Sequence, residues 1–474
     1  MGLESMSLTL VDKLWNAHEV QRLSEHRSLL YIDRVFLHER TGSVALRELE
    51  LKQRKVRVPG HVFCTMDHIV DTTPGRSDKT LMPSGEDFIV ATRSSAHEAS
   101  IRLFDIDDPD QGIVHVLSPE LGIALPGSTL ICPDSHTCTL GGIGALAWGV
   151  GSTETEHALA TSTLRVERPR NCRITLDGQL PPWITPKDLI LYVIRELSAS
   201  GGQGYAVEFA GSAIECLSVE GRLTLCNMAT ELSAFTGIVA PDQKVIDYFR
   251  EREFAPSYQH WDLAAAHWAD LKSDPGAAFD RDIRLDISHL KPQISWGISP
   301  EHTIDASDLI PAPADATSAE QYSSWAKAQA YMQLKPGTRL EDYSIDAAFF
   351  GSCTNSRLSD LRLAADYLRR SGSRVAPSVK ALCVPGSGRV KRAAEAEGID
   401  EVFRQAGFEW REPGCSLCFF AGGERFDDGS RVISTTNRNF EGRQGLRVKT
   451  HLASPLSVVA SACAGYLTTV GPQS

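Results

Sequence analysis

The sequence predicts an α/β protein of three domains with mainly parallel sheets, and three observations carry that prediction. Short apolar runs bounded by glycine or proline recur along the chain, they alternate with stretches of helical period, and 474 residues suffice for about three domains of ordinary size. In sheets of this kind ligands collect where strands end and loops begin, so the strand ends are where chemistry is sought.

The strand runs are Gly112–Leu117 (GIVHVL), Ser128–Pro133 (STLICP), Cys172–Gly178 (CRITLDG), Ala206–Gly211 (AVEFAG), Asp346–Ser352 (DAAFFGS), Val379–Gly386 (VKALCVPG) and Arg431–Asn437 (RVISTTN). Several are too uniformly apolar for half-exposed strands and suit strands buried on both faces. Among the helical stretches, Ile184–Leu197 offers Thr185 as cap and Pro186 in the first turn. Ser356–Gly372 and Val390–Gly398 each close on a glycine able to take the left-handed cap. Val166–Asn171 precedes a new strand run, and Ser307–Gln321, rich in proline, alanine and small polar residues, reads as a connecting segment. The expected domains are 1–166, 167–290 and 291–474, with no internal repeat.

A content of 42% hydrophobic and 23% charged residues is that of a folded chain. Sixty acidic against 48 basic residues give a formal charge of −12, which repels phosphate backbones and argues against nucleic acid, though not against a small anionic substrate gripped by local arginines. No stretch approaches the roughly 20 apolar residues of a membrane span, and the first twenty residues lack a secretory pattern, so the expected location is the cytoplasm. Eleven scattered cysteines do not form a dense secreted framework; most are expected as buried thiols and a minority as ligands.

Cys415 and Cys418 form a C-x-x-C that fits a redox dithiol or half of a zinc site. Upstream, Cys353 lies in Phe349–Arg357 (FFGSCTNSR), on a glycine-flanked turn after a buried strand and before a helix, whose N-terminus favours a thiolate. A structural zinc needs four ligands and no fourth cysteine or histidine stands at short spacing; three thiolates suit an iron–sulfur cube with one iron left open. Cys383 is expected in the core. Cys64–Thr72 (CTMDHIVDT) and Cys132–Gly151 (CPDSHTCTLGGIGALAWGVG) put Asp-His and Asp-Ser-His-Thr at strand ends, where carboxylates orient and tune imidazoles. Ser434–Gly445 (STTNRNFEGRQG) sets Arg438 and Arg443 five apart on a polar turn, a spacing suited to gripping a carboxylate-rich ligand.

The strings Asp67–His68, Asp134–Thr137 (DSHT), Glu220–Glu231 (EGRLTLCNMATE), Gly351–Arg357 (GSCTNSR), Pro413–Cys418 (PGCSLC) and Asn437–Gly445 (NRNFEGRQG) fall in the order found in the aconitase superfamily. The chain resembles that family from Leu30 to Pro455, and within it most of all the large-subunit branch of the 3-isopropylmalate dehydratases. The resemblance implies three α/β domains around a central cleft and a hydro-lyase of leucine biosynthesis. It implies one [4Fe–4S] cluster per chain held by Cys353, Cys415 and Cys418, whose fourth iron has no protein ligand and binds the substrate's hydroxyl and a carboxylate as a Lewis acid. It also implies that Asp67 and His68 form the acid pair near the leaving hydroxyl, with Asp134 and His136 a neighbouring dyad around Ser135. Glu231 and Asn227 match residues lining the cluster and its water, Asn355 and Asn437 line the cluster site, Arg438 and Arg443 bind carboxylates, and His38 approaches the substrate.

The swivelling fourth domain of single-chain aconitases, which carries the serine that takes the carbon-bound proton, has no room after Pro455, so the resemblance implies a separate small subunit. The chain departs from the family pattern at Thr41–Ala45 (TGSVA), in place of a serine-proline-glutamine element, at Leu140, and at Cys418–Phe426 (CFFAGGERF). These departures leave the reaction class and open the substrate: another alkylmalate or tricarboxylate, as in homoaconitase, citramalate isomerase or a specialised-pathway paralogue. An RNA-binding apo-protein is the alternative of another class, disfavoured by the acidic charge.

Overall fold

The computed structural model describes residues 7–420 and 423–471. Three larger sheets, every neighbouring pair of strands parallel, are each drawn from one contiguous stretch of chain. The first takes the strands Arg34–His38, Val62–Thr65, Arg102–Phe104, Thr129–Cys132 and Leu146–Gly149, with Arg34–His38 central. The second takes Arg170–Asp177, Tyr205–Ala210, Thr236–Ile238 and Arg281–Asp286. The third takes Ala347–Phe350, Lys380–Cys383, Glu409–Trp410, Arg431–Ser434 and Lys449–Leu452, with Ala347–Phe350 central. Val62–Thr65, Thr129–Cys132, Ala347–Phe350 and Arg431–Ser434 are buried at every position, as strands covered on both faces by helices must be.

Two short antiparallel ribbons complete the sheets: Glu19–Arg22, Arg27–Tyr31 and Thr163–Glu167, and Gln293–Ser295 with Thr303–Asp305. The first hydrophobic core does not stop near residue 166. It takes in Val219, Leu223, Ile238, Val245, Phe249, Trp268 and Leu271, so helices after the second sheet's strands pack back on the first.

One expected strand is a helix. Gly112–Leu117 leads into the helix Val114–Leu121, because Val114, Leu117 and Leu121 recur at helical spacing and Gly122 in the left-handed region closes it. Thr185 does not cap by accepting a helix N–H. Asp188 accepts from the Thr185 amide at 2.9 Å and its hydroxyl at 2.8 Å instead. The connecting segment ends early, since Ser318 accepts from Gln321 N–H and starts the helix Ala319–Met332. The helices Pro186–Leu197, Leu358–Ser371 and Gly388–Ala396 lie where the sequence places them.

Among the described residues no helix is long and apolar enough to cross a membrane. All eleven cysteines are free thiols. Residues 1–6 of the N-terminal reading, and Ala421 and Gly422 of the departure after the C-x-x-C, lie outside the described residues.

Candidate active site

The C-terminal ends of the central strands of the first and third sheets face one cavity of about 230 Å³. Its lining includes His38, His68, Asp134, Ser135, His136, Cys353, Cys415, Cys418, Asn437, Arg438 and Arg443. Residues far apart in sequence meet here because parallel strands all deliver their following loops to the same edge.

Cys353 sits on the turn between Ala347–Phe350 and Leu358–Ser371, 5% exposed, and the buried Arg357 fixes that turn by donating to the carbonyls of Thr354 at 2.9 Å and Cys353 at 3.0 Å. Cys415 N–H donates to the Asp67 carbonyl at 2.8 Å, tying the C-x-x-C loop of the third sheet to the acid-base loop of the first. Asn227 and Asn437 point their amide nitrogens at Cys353 Sγ from 3.2 and 3.4 Å, and Asn437 also donates to Asn227 Oδ1 at 3.2 Å. Burial pushes the Cys353 thiol up to about 12, so the helix N-terminus does not by itself hold it as a thiolate. Burial likewise raises Cys383 well above the usual range, and it is fully enclosed in the core.

Across the cavity, His68 Nδ1 lies 2.7 Å from Asp67 Oδ1 and Nε2 lies 3.2 Å from Asp134 Oδ2. Burial alone would pull this imidazole down, yet the two carboxylates hold it well above 6.5, making it an imidazolium at neutral pH. The His38 ring stacks on it with centroids 4.2 Å apart, and burial with the neighbouring His68 charge lowers His38 to about 4. One ring of the pair is thus charged and the other neutral.

Asp134 caps the 3-10 helix Ser135–Ile143 by accepting His136 N–H at 2.7 Å; despite its burial, the histidines around it, His115 foremost, keep it well below the usual carboxylate range. His136 Nε2 lies 3.0 Å from Glu231 Oε1, which also accepts Arg438 Nε at 2.8 Å. Burial opposes the charge on His136, but Glu231 raises it above 6.5, and Glu231 is correspondingly lowered.

Asn227, Glu231 and Asp67 stand one residue behind the lining, bonded to groups that form it. Asn355 is the exception. Its amide nitrogen bonds Asp360 Oδ1 at 3.0 Å and Thr224 Oγ1 at 3.4 Å, and its side chain is not part of the cavity wall.

Three residues escaped the sequence reading. Glu39, fully buried after the Arg34–His38 strand, accepts the backbone N–H groups of Asp67 at 3.0 Å, His68 at 2.7 Å and Ile69, and so shapes the acid-base loop. His115, hidden in the misread strand, brings Nε2 to 3.2 Å from Asp134 Oδ1. Arg40 lines the cavity. The signal for Glu39 and Arg40 was a charged pair directly after an apolar strand; the signal for His115 was the helical spacing around it.

Ligand atoms of His38, Glu39, Asp67 and His68 lie within 4.8 Å of one another. They are not a metal cage, because the Glu39 oxygens serve backbone N–H groups and Asp67 serves His68 and the Val114 N–H at 3.1 Å.

Residues 12–465 match the profile of the Aconitase family (aconitate hydratase). The chain is 48% identical, over 468 residues covering 99% of it and 97% of the relative, to 3-isopropylmalate dehydratase large subunit 1 of Bradyrhizobium diazoefficiens. Among solved structures, the holo form of aconitase X from Thermococcus kodakaraensis is similar over 93% of each chain, with 12% identity and a TM-score of 0.46. The chain belongs to the aconitase family, and its enzyme class is that of a hydro-lyase.

The family implies a [4Fe–4S] cluster, and the residues fit one. Three thiols share one cavity wall, and two side-chain amides converge on Cys353 Sγ as they would on a thiolate. Burial raises Cys353, and the Cys418 hydrogen bond with burial raises Cys415, so a bound cation is what would hold these two as thiolates, whereas the Cys415 hydrogen bond already lowers Cys418 to about 7. Asn437 Oδ1, Glu231 Oε2 and Arg443 Nε are buried beside them with no partner among the described residues.

Proposed function

We propose that this chain is the large subunit of a 3-isopropylmalate dehydratase, interconverting 2- and 3-isopropylmalate through isopropylmaleate in cytoplasmic leucine biosynthesis. Cys353, Cys415 and Cys418 hold one [4Fe–4S] cluster, one iron of which has no protein ligand. When bound, the cluster supplies a Lewis acid for the substrate's hydroxyl and a carboxylate. A separate small subunit carries the swivel domain and completes the site.

The observation that carries this reading is the convergence, on one small cavity, of three thiols, an imidazole held between two carboxylates, and guanidiniums beside the apolar Ile113, Pro133 and Phe419. Hydroxide leaves poorly, so a proton must reach its oxygen as the C–O bond breaks. His68 is placed and charged to give that proton, and Asp67 and Asp134 stabilise the imidazolium before transfer and reclaim its orientation afterwards. The electron pair of the broken C–H bond forms the double bond while its proton goes to a base on the small subunit. Addition of water in the opposite sense returns each proton and moves the hydroxyl to the adjacent carbon. Arg438, anchored by Glu231, and Arg443 hold the carboxylates through both halves. The apolar residues suit an alkyl substituent.

The test is anaerobic reconstitution with the small subunit, following the ultraviolet absorbance of the unsaturated acid with 2-isopropylmalate, citrate, homocitrate and citramalate in parallel. Turnover of 2-isopropylmalate is expected; turnover of the other acids without it would sink the leucine assignment.

A further inference from the structure

Arg40 has no role in the chemistry above, and Phe419 only that of an apolar neighbour of the substrate, yet both line the cavity. The guanidinium carbon of Arg40 stands 4.9 Å from the centroid of the Phe419 ring, and that of Arg443 stands 4.8 Å from the same centroid. Arg443 also packs on Phe440 at 5.2 Å. Among the described residues no carboxylate lies within 4.0 Å of the Arg40 or Arg443 guanidinium, whereas Arg438 is committed to Glu231. Arg443 is only 9% exposed and its Nε has no partner.

Two cations gathered around one aromatic ring repel each other, and an arginine as enclosed as Arg443 is costly without an anion. The ring offsets part of that cost and does something geometric besides. A guanidinium resting against an aromatic ring keeps its N–H edge free for the in-plane, two-pronged grip that suits a carboxylate. Arg40 immediately precedes Thr41–Ala45, and Phe419 lies within Cys418–Phe426, two segments where the sequence departs from the family pattern.

We propose that Arg40 is a further substrate-binding residue, receiving a carboxylate of the substrate together with Arg443, and that Phe419 is the positioning residue that holds both guanidiniums. This rests on the reading of the cavity as a hydroxy-acid site.

The test uses the cluster-loaded large subunit with its small subunit. Wild type is assayed on 2-isopropylmalate, citrate, homocitrate and citramalate, and binding of each acid is measured by calorimetry. If wild type prefers an acid other than 2-isopropylmalate, the leucine reading fails while the Arg40 comparison proceeds on the preferred acid. Arg40→Met is expected to raise KM and weaken calorimetric binding by about 10- to 100-fold, with a smaller change in kcat and unchanged iron content, as loss of a charge-assisted bond implies. Phe419→Leu is expected to raise KM in the same sense, with Phe419→Tyr restoring it. KM and affinity of Arg40→Met within about two-fold of wild type, at full iron content, would overturn the proposal. Should Arg40→Met fail to load iron, Arg40→Lys decides: it keeps the charge without the planar fork, and wild-type affinity in it overturns the proposal. Failure of wild type to bind any of the four acids overturns both readings.

Discussion

At the scale of single residues, the site works by setting neighbouring titratable groups apart. His68, between Asp67 and Asp134, is held well above 6.5, while His38, stacked on it, falls to about 4. Because the folded value of His68 exceeds its unfolded one, its proton stabilises the fold fully below about pH 6.5 and that contribution is lost as pH rises through the raised value. Activity that needs the imidazolium follows the same direction, so the alkaline limb of the kcat profile is expected well above pH 6.5. His68→Gln should lower kcat by about 10²- to 10⁴-fold at unchanged iron content and remove that limb. Glu39 makes a second prediction. Glu39→Ala leaves at least three buried N–H groups of the acid-base loop without an acceptor, at about 1–3 kcal/mol each, so thermal unfolding should show a marked drop in melting temperature and the protein little activity. The Asp67–His68 pair and the DSHT run were legible in the sequence because their residue types stand at strand ends, and Arg438 and Arg443 because they stand five apart on a polar turn. Glu39 and His115 were not, because what matters in them is which distant backbone or carboxylate they reach, and Asn355 shows the converse: it sits in a recognisable motif yet turns toward Asp360.

Elements bring these residues together through close backbone approach. The 3-10 helix Ser135–Ile143, capped by Asp134, carries His136 and lies against the helix Val219–Asn227, which leads to Glu231. The close packing requires glycine: a Cβ on Gly142 would stand 2.6 Å from Leu223 N of that helix, and one on Gly141 1.7 Å from the carbonyl oxygen of Gly237 in the strand Thr236–Ile238. Gly141→Ala is therefore expected to destabilise by about 1–3 kcal/mol or more and to reduce activity by separating His136 from Glu231, measured by denaturant unfolding and by kcat. Lys187 makes a comparable link between the second and third sheets, its buried Nζ donating to the Thr435 carbonyl at 2.9 Å and to that of Thr436. The buried strands were legible from uniform apolar runs bounded by breakers. Gly112–Leu117 was misread for the same reason, since a short apolar run has no period long enough to separate strand from helix before Pro119 and Gly122 are weighed.

On the scale of the whole molecule, parallel sheets in separate stretches of chain aim their loops at a shared cleft, which is how cysteines 62 positions apart come to line one cavity. The order of the motifs was readable along the chain, but their convergence depends on packing between sheets that no local pattern encodes. The central claim is that Cys353, Cys415 and Cys418 together hold a four-iron cluster on which the activity depends. Iron and acid-labile sulfide counted per chain after anaerobic reconstitution, in wild type and in Cys353→Ser, test it most directly. About four of each are expected in wild type, with loss of both and of activity in Cys353→Ser. A Cys353→Ser protein that kept its iron, its sulfide and its turnover would contradict the account.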